Sequence, residues 1–207
     1  MIGIESELGG LRWDNVSLGM LWAQEYERLK EEQAQRIATR DNLMYATLVS
    51  IAGVILAMYQ TSNPDLLLLL PPGCVVLGWT YLVNDEKISA IGRYIRTDLG
   101  PRMAGLLDSA HPVYGWETAH RSDRRRRMRK VMQLLVDLMT FCLPGMGAIV
   151  TRCLIEGLSP FVAVVVAAES LMVLVLAHQI MTNADLTRDR AWNVTDAAAS
   201  AVTRVRD

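Results

Sequence analysis

Four stretches of this chain carry almost no charge, and each is about as long as a bilayer is thick. Residues 43–59 read LMYATLVSIAGVILAMY and residues 66–83 read LLLLLPPGCVVLGWTYLV, both without a charged side chain. Residues 131–150 hold one acid, Asp137, and residues 158–181 hold Glu169 and His178. A helix rises about 1.5 Å per residue, so roughly 20 apolar residues cross ~30 Å of hydrocarbon. The first two stretches are slightly short, and uncharged neighbours such as residues 60–64 extend them. Charge is gathered instead into residues 1–41, 84–130 and 182–207. A soluble bundle spreads polar residues through every helix, because each keeps a wet face. Separation by segment is what a bilayer imposes, since hydrocarbon offers stray polar groups no partner. Four helices buried in a soluble core would need surface helices to cover them, and the rest of the chain supplies few. The net charge of -1 hides this segregation.

Lysine and arginine bias sets the expected orientation. The first tail carries five basic residues, the central loop eleven and the last tail four, against Arg152 alone in the short connections. The predicted fold is therefore all-α: a four-helix transmembrane bundle with cytoplasmic helical extensions and both termini inside. Its parts are a cytoplasmic amphipathic helical region (1–41), a transmembrane hairpin (42–83), a cytoplasmic helical loop with a basic run (84–130), a second hairpin (131–181) and a cytoplasmic tail (182–207). The opening residues MIGIESELGGLRWDN lack a basic start followed by an apolar core, so insertion is expected to begin with the first span. Pro71 and Pro72 fall within the second span and Pro144 within the third, where proline bends a helix and its neighbours compensate. Packing kinks are favoured over a gating hinge.

Residues 18–40 are rich in helix formers, with Leu18, Leu21, Trp22, Tyr26, Leu29 and Ile37 broadly on one stripe and Glu25, Arg28, Glu32 and Arg36 nearby. This predicts an amphipathic helix that runs into the first span and packs on protein rather than on lipid, because its charges are mixed. After the second span, Ile88, Ile91, Ile95 and Leu99 recur at helical spacing, so that helix is expected to continue and end near Gly100-Pro101.

The densest charge is the run HRSDRRRRMRK, with Arg121, Arg124, Arg125, Arg126, Arg127, Arg129 and Lys130 leading into the third span. One reading is topological: basic residues beside a span hold the loop inside and meet anionic headgroups. The sharper reading is a site where guanidiniums grip the phosphates of a nucleotide or oligonucleotide, with Trp116 and Tyr114 available to stack a base.

Glu169 lies near the middle of the fourth span, where a charge is costly and faces a bundle interior or water. Asp137 lies about two turns into the third span, and antiparallel neighbours would bring the two acids within roughly 6 Å in depth. They are the candidate lining of a cation path; the alternative is an interhelical hydrogen bond that fixes packing. His178 is expected at a wet rim. Cys74, Cys142 and Cys153 lie in or beside apolar stretches without CxxC spacing and read as small buried hydrophobes, so neither a disulfide framework nor a metal site is expected. Nucleotide-binding, metalloprotease and serine-hydrolase motifs are absent, and His111, Glu117 and His120 lack a third orienting group. Neither enzyme chemistry nor a cofactor is predicted.

The segments LGWTYLVNDEKISAIGRYIR and GWETAHRSDRRRRMRK resemble uncharacterised multi-span integral membrane proteins of actinobacteria, over about the middle half of the chain. The architecture is also similar to small membrane effectors of bacterial antiphage systems, of the SLATT and Hailong types. That similarity implies a multi-pass protein of the bacterial plasma membrane in which cytoplasmic helices control a pore, often with a nucleotide-synthesising partner. The expected function is thus an oligomeric channel or pore-forming effector, gated through its cytoplasmic helices by an anionic ligand or partner. The rival is a non-catalytic membrane anchor that recruits a soluble cytoplasmic protein; a transporter subunit is a third possibility.

Overall fold

The computed structural model describes residues 2–107, 113–114 and 126–184, with side chains described from Ser17 in the first helix and from Met128 in the fourth. Every regular element among these residues is helical. Helix α1 (Ile2–Thr61) is unbroken, as a stretch from residue 17 with no proline and only two glycines allows. It ends at Ser62, which takes a left-handed φ of 52°. Asn63 then caps a 3-10 turn, Pro64–Leu69, its side chain accepting from the Asp65 N–H at 3.0 Å. Helix α2 (Leu70–Tyr94) follows. Pro71 and Pro72 therefore occupy the first α-helical turn, where a missing N–H leaves no helical bond unmade, and they mark a helix start rather than a mid-span kink.

Beyond α2 the chain winds into one π turn, Ile95–Leu99, and then into α3 (Gly100–Leu106). The Gly100 N–H bonds to the Ile95 carbonyl, five residues back. Pro101 has no N–H to offer the turn before it and would crowd the carbonyl four residues earlier. The widened turn makes that room, so the helix passes through Gly100-Pro101, where the sequence predicts an end, and reaches Leu106. The third membrane-length segment is divided at Cys142 into α4 (Arg126–Phe141) and α5 (Leu143–Glu156), two residues before Pro144. Gly157 stops α5 with a φ of 74°, a conformation that favours glycine. Ser159 and Pro160 open α6 (Pro160–Asn183), the Ser159 hydroxyl oxygen accepting from the Val162 N–H. The boundaries at 41/42, 83/84 and 130/131 are changes of composition; helices α1, α2 and α4 run straight through them.

Four helical segments are long and apolar enough to cross a membrane: Ser17–Thr61, Pro64–Leu106, Met128–Glu156 and Pro160–Asn183. This is a membrane protein built on α2, which contacts the other three segments. Leu70, Pro71, Cys74, Gly78, Tyr81 and Leu82 form its buried stripe. Against it lie Phe141, Cys142 and Ala148 of the α4–α5 segment and Val173, Leu176 and Ile180 of α6. Two glycines allow close approach. A Cβ at Gly78 would come within 2.8 Å of Leu176 and 3.0 Å of Phe141; one at Gly145 would lie 3.3 Å from the Pro71 Cα. In hydrocarbon such contacts, rather than a hydrophobic driving force, hold helices together. The apolar side chains of α1 and α6 away from this seam, such as Val49, Tyr59, Phe161 and Val164, are exposed.

Beyond the apolar spans, α1 and the α2–α3 helix continue together as an antiparallel stalk roughly 35 Å long, from the helical rise. Its seam is largely polar. The Tyr94 hydroxyl donates to Glu25 at 2.7 Å, Gln33 donates to the Ile88 carbonyl at 3.3 Å, and Arg36 donates to Asn84 at 3.4 Å. The hydrogen bond to Glu25, aided by partial burial, pushes the Tyr94 phenol above its usual range. Ile95 and Leu99 are buried, as their spacing predicts. The α1 stripe differs from expectation: Leu18, Leu21 and Ile37 are exposed, while Arg36 faces the partner helix. Polar pairing along 33–40 turns that face of α1 inward, and the outlying leucines fall off it.

Replacing Gly78 with alanine should destabilise the detergent-solubilised protein by about 1–3 kcal/mol, the usual cost of overpacking. Gly53 has open space around its Cα, so Gly53→Ala should leave thermal unfolding unchanged or slightly improved.

Candidate functional site

Polar groups within the bundle collect at three depths. The first is the junction between stalk and spans. Arg40 of α1 donates from Nη1 to Asp85 Oδ1 of α2 at 3.0 Å, and Gln133 of α4 donates to the same oxygen at 3.3 Å. The Arg40 guanidinium lies 6.0 Å from the centroid of the Tyr81 ring, within cation–π range. Asp137, 8% exposed, lies beside Tyr81 one turn deeper than Gln133. Three helices thus share one cluster of Arg40, Asp85, Gln133, Tyr81 and Asp137. It is incompletely satisfied: Arg40 Nε and Asp137 Oδ1 are buried without a hydrogen-bond partner. A buried polar network with open positions is costly, and such positions mark water, ion or moving-part sites.

The second depth belongs to Glu169 alone. It is 6% exposed on α6, and its Oε2 is buried without a hydrogen-bond partner. It faces the bundle interior, one turn from Val173 on the same buried stripe.

The third lies at the turn side, where the two hairpins close. Arg152, 5% exposed, donates from Nε to Asp65 at 2.6 Å, pairs through Nη2 with Glu156 at 3.0 Å and donates to the Gly157 carbonyl at 3.1 Å. One guanidinium therefore ties the first hairpin's turn to the second's. The sequence marks Arg152 only as the lone basic residue in the short connections. Its partner Asp65 sits beside a proline turn some eighty residues earlier, so linear spacing gives no sign of the pair.

The structure separates the two predicted acids. Phe141 and Leu176 both meet Gly78 and so mark one depth. Asp137 lies four residues to the stalk side of that level and Glu169 seven to the turn side, on the order of 16 Å apart by the helical rise. The expectation of about 6 Å took the two spans as level at their ends; the Gly78 and Gly145 contacts set a different register. The acids therefore form two separate sites.

Of the predicted anion site, Trp116, Arg121, Arg124 and Arg125 lie outside the described residues, as do His111, Glu117 and His120. Arg126 and Arg127 begin α4, whose side chains are described from Met128; Arg129 is exposed and Lys130 half-buried. One face of the Tyr114 ring is taken up within the structure. It stacks on Tyr26 of α1, centroids 4.0 Å apart and planes 7° from parallel, and it passes close to Gly100. Its π face serves the stalk, a partner that sequence distance conceals. Among the described residues, no group of three or more histidine, cysteine, aspartate or glutamate side chains is placed to hold a metal ion.

No protein-family model matches the chain, and no curated protein or solved structure is similar to it. The site is accordingly read from its own chemistry.

The turn-side cluster predicts an asymmetry. Arg152→Leu should destabilise the protein by about 2–4 kcal/mol, since it removes a buried side chain that joins the hairpins. Asp65→Asn should cost about 1 kcal/mol or less, because Arg152 keeps Glu156 and the Gly157 carbonyl. At the stalk junction, a double-mutant cycle on Arg40→Leu and Asp85→Leu should return a coupling of roughly 1–2 kcal/mol, between exposed and fully buried pairs. Thermal unfolding in one detergent measures all of these.

Proposed function

We propose that the protein forms a homo-oligomeric ion-conducting assembly in the membrane, whose conducting state is set through its two-helix stalk. The observation that carries this reading is the polar junction of Arg40, Asp85 and Gln133. Helix α1 is continuous from the stalk through its span, and α2 continues into the stalk without a loop. A stiff helix transmits a displacement along its length. A partner that shifts the stalk therefore acts on the junction, where Tyr81 of α2 lies beside Asp137 of α4.

The bundle of one copy is packed shut around Phe141, Leu176 and Val173, all fully buried. A conducting path needs either several copies around an axis or a rearranged bundle. The apolar flanks of α1 and α6 are available for contacts between copies. Glu169 and Asp137, buried and incompletely paired, are the groups that would favour cations. Lysine and arginine bias supports a cytoplasmic stalk, in a bacterial plasma membrane. The anionic ligand or partner, a nucleotide in the sharpest form of the proposal, would act at the 121–130 run that leads into α4 in sequence. Such behaviour fits an effector of antiphage defence.

A second reading is a membrane anchor that recruits a soluble protein. Its support is the exposed apolar group near the far end of the stalk, Leu18, Met20, Leu21 and Leu107.

Ion flux from liposomes containing the purified protein separates the two. The channel reading predicts cation flux that Glu169→Gln alters without loss of the folded protein. Liposomes that stay silent with and without nucleotides, while the stalk captures a soluble partner, would favour the anchor.

A further inference from the structure

Cys74 on α2 and Cys142 at the break between α4 and α5 are both buried free thiols, 2% and 8% exposed. Two close helix approaches fix their relative depth. A Cβ on Gly145 would lie 3.3 Å from the Pro71 Cα, and a Cβ on Gly78 would lie 3.0 Å from the Phe141 Cβ. The α2 and α4–α5 segments run antiparallel. Three residues on from Pro71 is Cys74, and three residues before Gly145 is Cys142. The two thiols therefore share one level between the two contacts, each on its helix's buried stripe. Cys153, eleven residues further along, has no such counterpart on α2.

We propose that Cys74 and Cys142 are a redox-active dithiol, their Cα atoms within disulfide reach, which a hydrocarbon-soluble two-electron oxidant of the quinone class converts to an interhelical disulfide. Two S–H bonds break and one S–S bond forms. The two electrons and two protons pass to the quinone, which leaves as the hydroquinone. The site's position selects the class of oxidant. A charged disulfide such as oxidised glutathione does not enter hydrocarbon, and its exchange chemistry needs a thiolate. A thiol in apolar surroundings stays protonated, so the fitting acceptor takes protons along with electrons. The bond requires a Cα separation of about 4.4–6.8 Å, and small residues at a helix contact let the two backbones approach closely. Once formed, it would clamp α2 to the α4–α5 break and hold that junction in one angle.

The test uses the full chain carrying Cys153→Ser in liposomes, exposed to a fully ring-substituted benzoquinone, which oxidises thiols without alkylating them. Remaining thiols are then alkylated in denaturant, and the protein is mapped by mass spectrometry. The expected result is a peptide pair joined through residues 74 and 142, two hydrogens lighter than the separate peptides and released by dithiothreitol. Oxidised glutathione added to the same liposomes should leave both thiols alkylatable. Complete alkylation of Cys74 and Cys142 after the quinone would overturn the proposal. So would equal oxidation by glutathione disulfide, which would place the pair in water. Both readouts come from the native pair, so neither depends on a further cysteine variant folding.

Discussion

At one level of the bundle, α2 has no side chain at all: Gly78 lets Leu176 of α6 and Phe141 of α4 come against its backbone. Two turns away, Gly145 of α5 does the same for Pro71 and Val173. Hydrocarbon gives helices no reason to associate through apolar burial alone, so contacts of this kind carry the cohesion of the bundle. They also fix the register of every segment that touches α2. Which polar groups meet, and at what depth, follows from that register. It puts Asp137 beside Tyr81, leaves Glu169 without a charged neighbour among the described residues and brings Cys142 level with Cys74.

The arrangement divides labour by depth. At the turn side, Arg152 closes the bundle with well-formed ion pairs to short, capped loops, as a structural fastening does. At the stalk side, the Arg40 cluster joins three helices but leaves a donor and an acceptor unmatched. A fully satisfied polar network is rigid, whereas a partly satisfied one is costly. The polar seam of the stalk leads into the second kind. The π turn at Ile95–Leu99 belongs to the same half of the molecule, and such turns recur at functional sites.

Much of this was legible in the sequence, because the bilayer writes its constraint into composition. Nearly uncharged runs of membrane length located all four spans, and Ile88, Ile91, Ile95 and Leu99 located the helical extension of α2. The punctuation was less legible. Pro71 and Pro72 look alike as kink or helix start until the preceding 3-10 turn is known. Pro101 looks like a stop until the π turn absorbs it. Pairings across the fold were the least legible: Arg152 with Asp65, Tyr26 with Tyr114 and Arg40 with Asp85 are contacts between residues 45 or more apart in sequence, and no local pattern encodes them. The candidate acids were identifiable as costly intruders in apolar spans, but their separation depended on a register that glycine contacts alone decide.

The central claim is that one bundle is closed and that conduction belongs to an assembly controlled by its stalk. Its most direct test is the mass of the protein in lipid nanodiscs, with stoichiometry counted by native mass spectrometry. The account predicts a discrete oligomer of several copies that persists in lipid. A monomer at every lipid-to-protein ratio would contradict it and leave the stalk as a docking post on a sealed bundle.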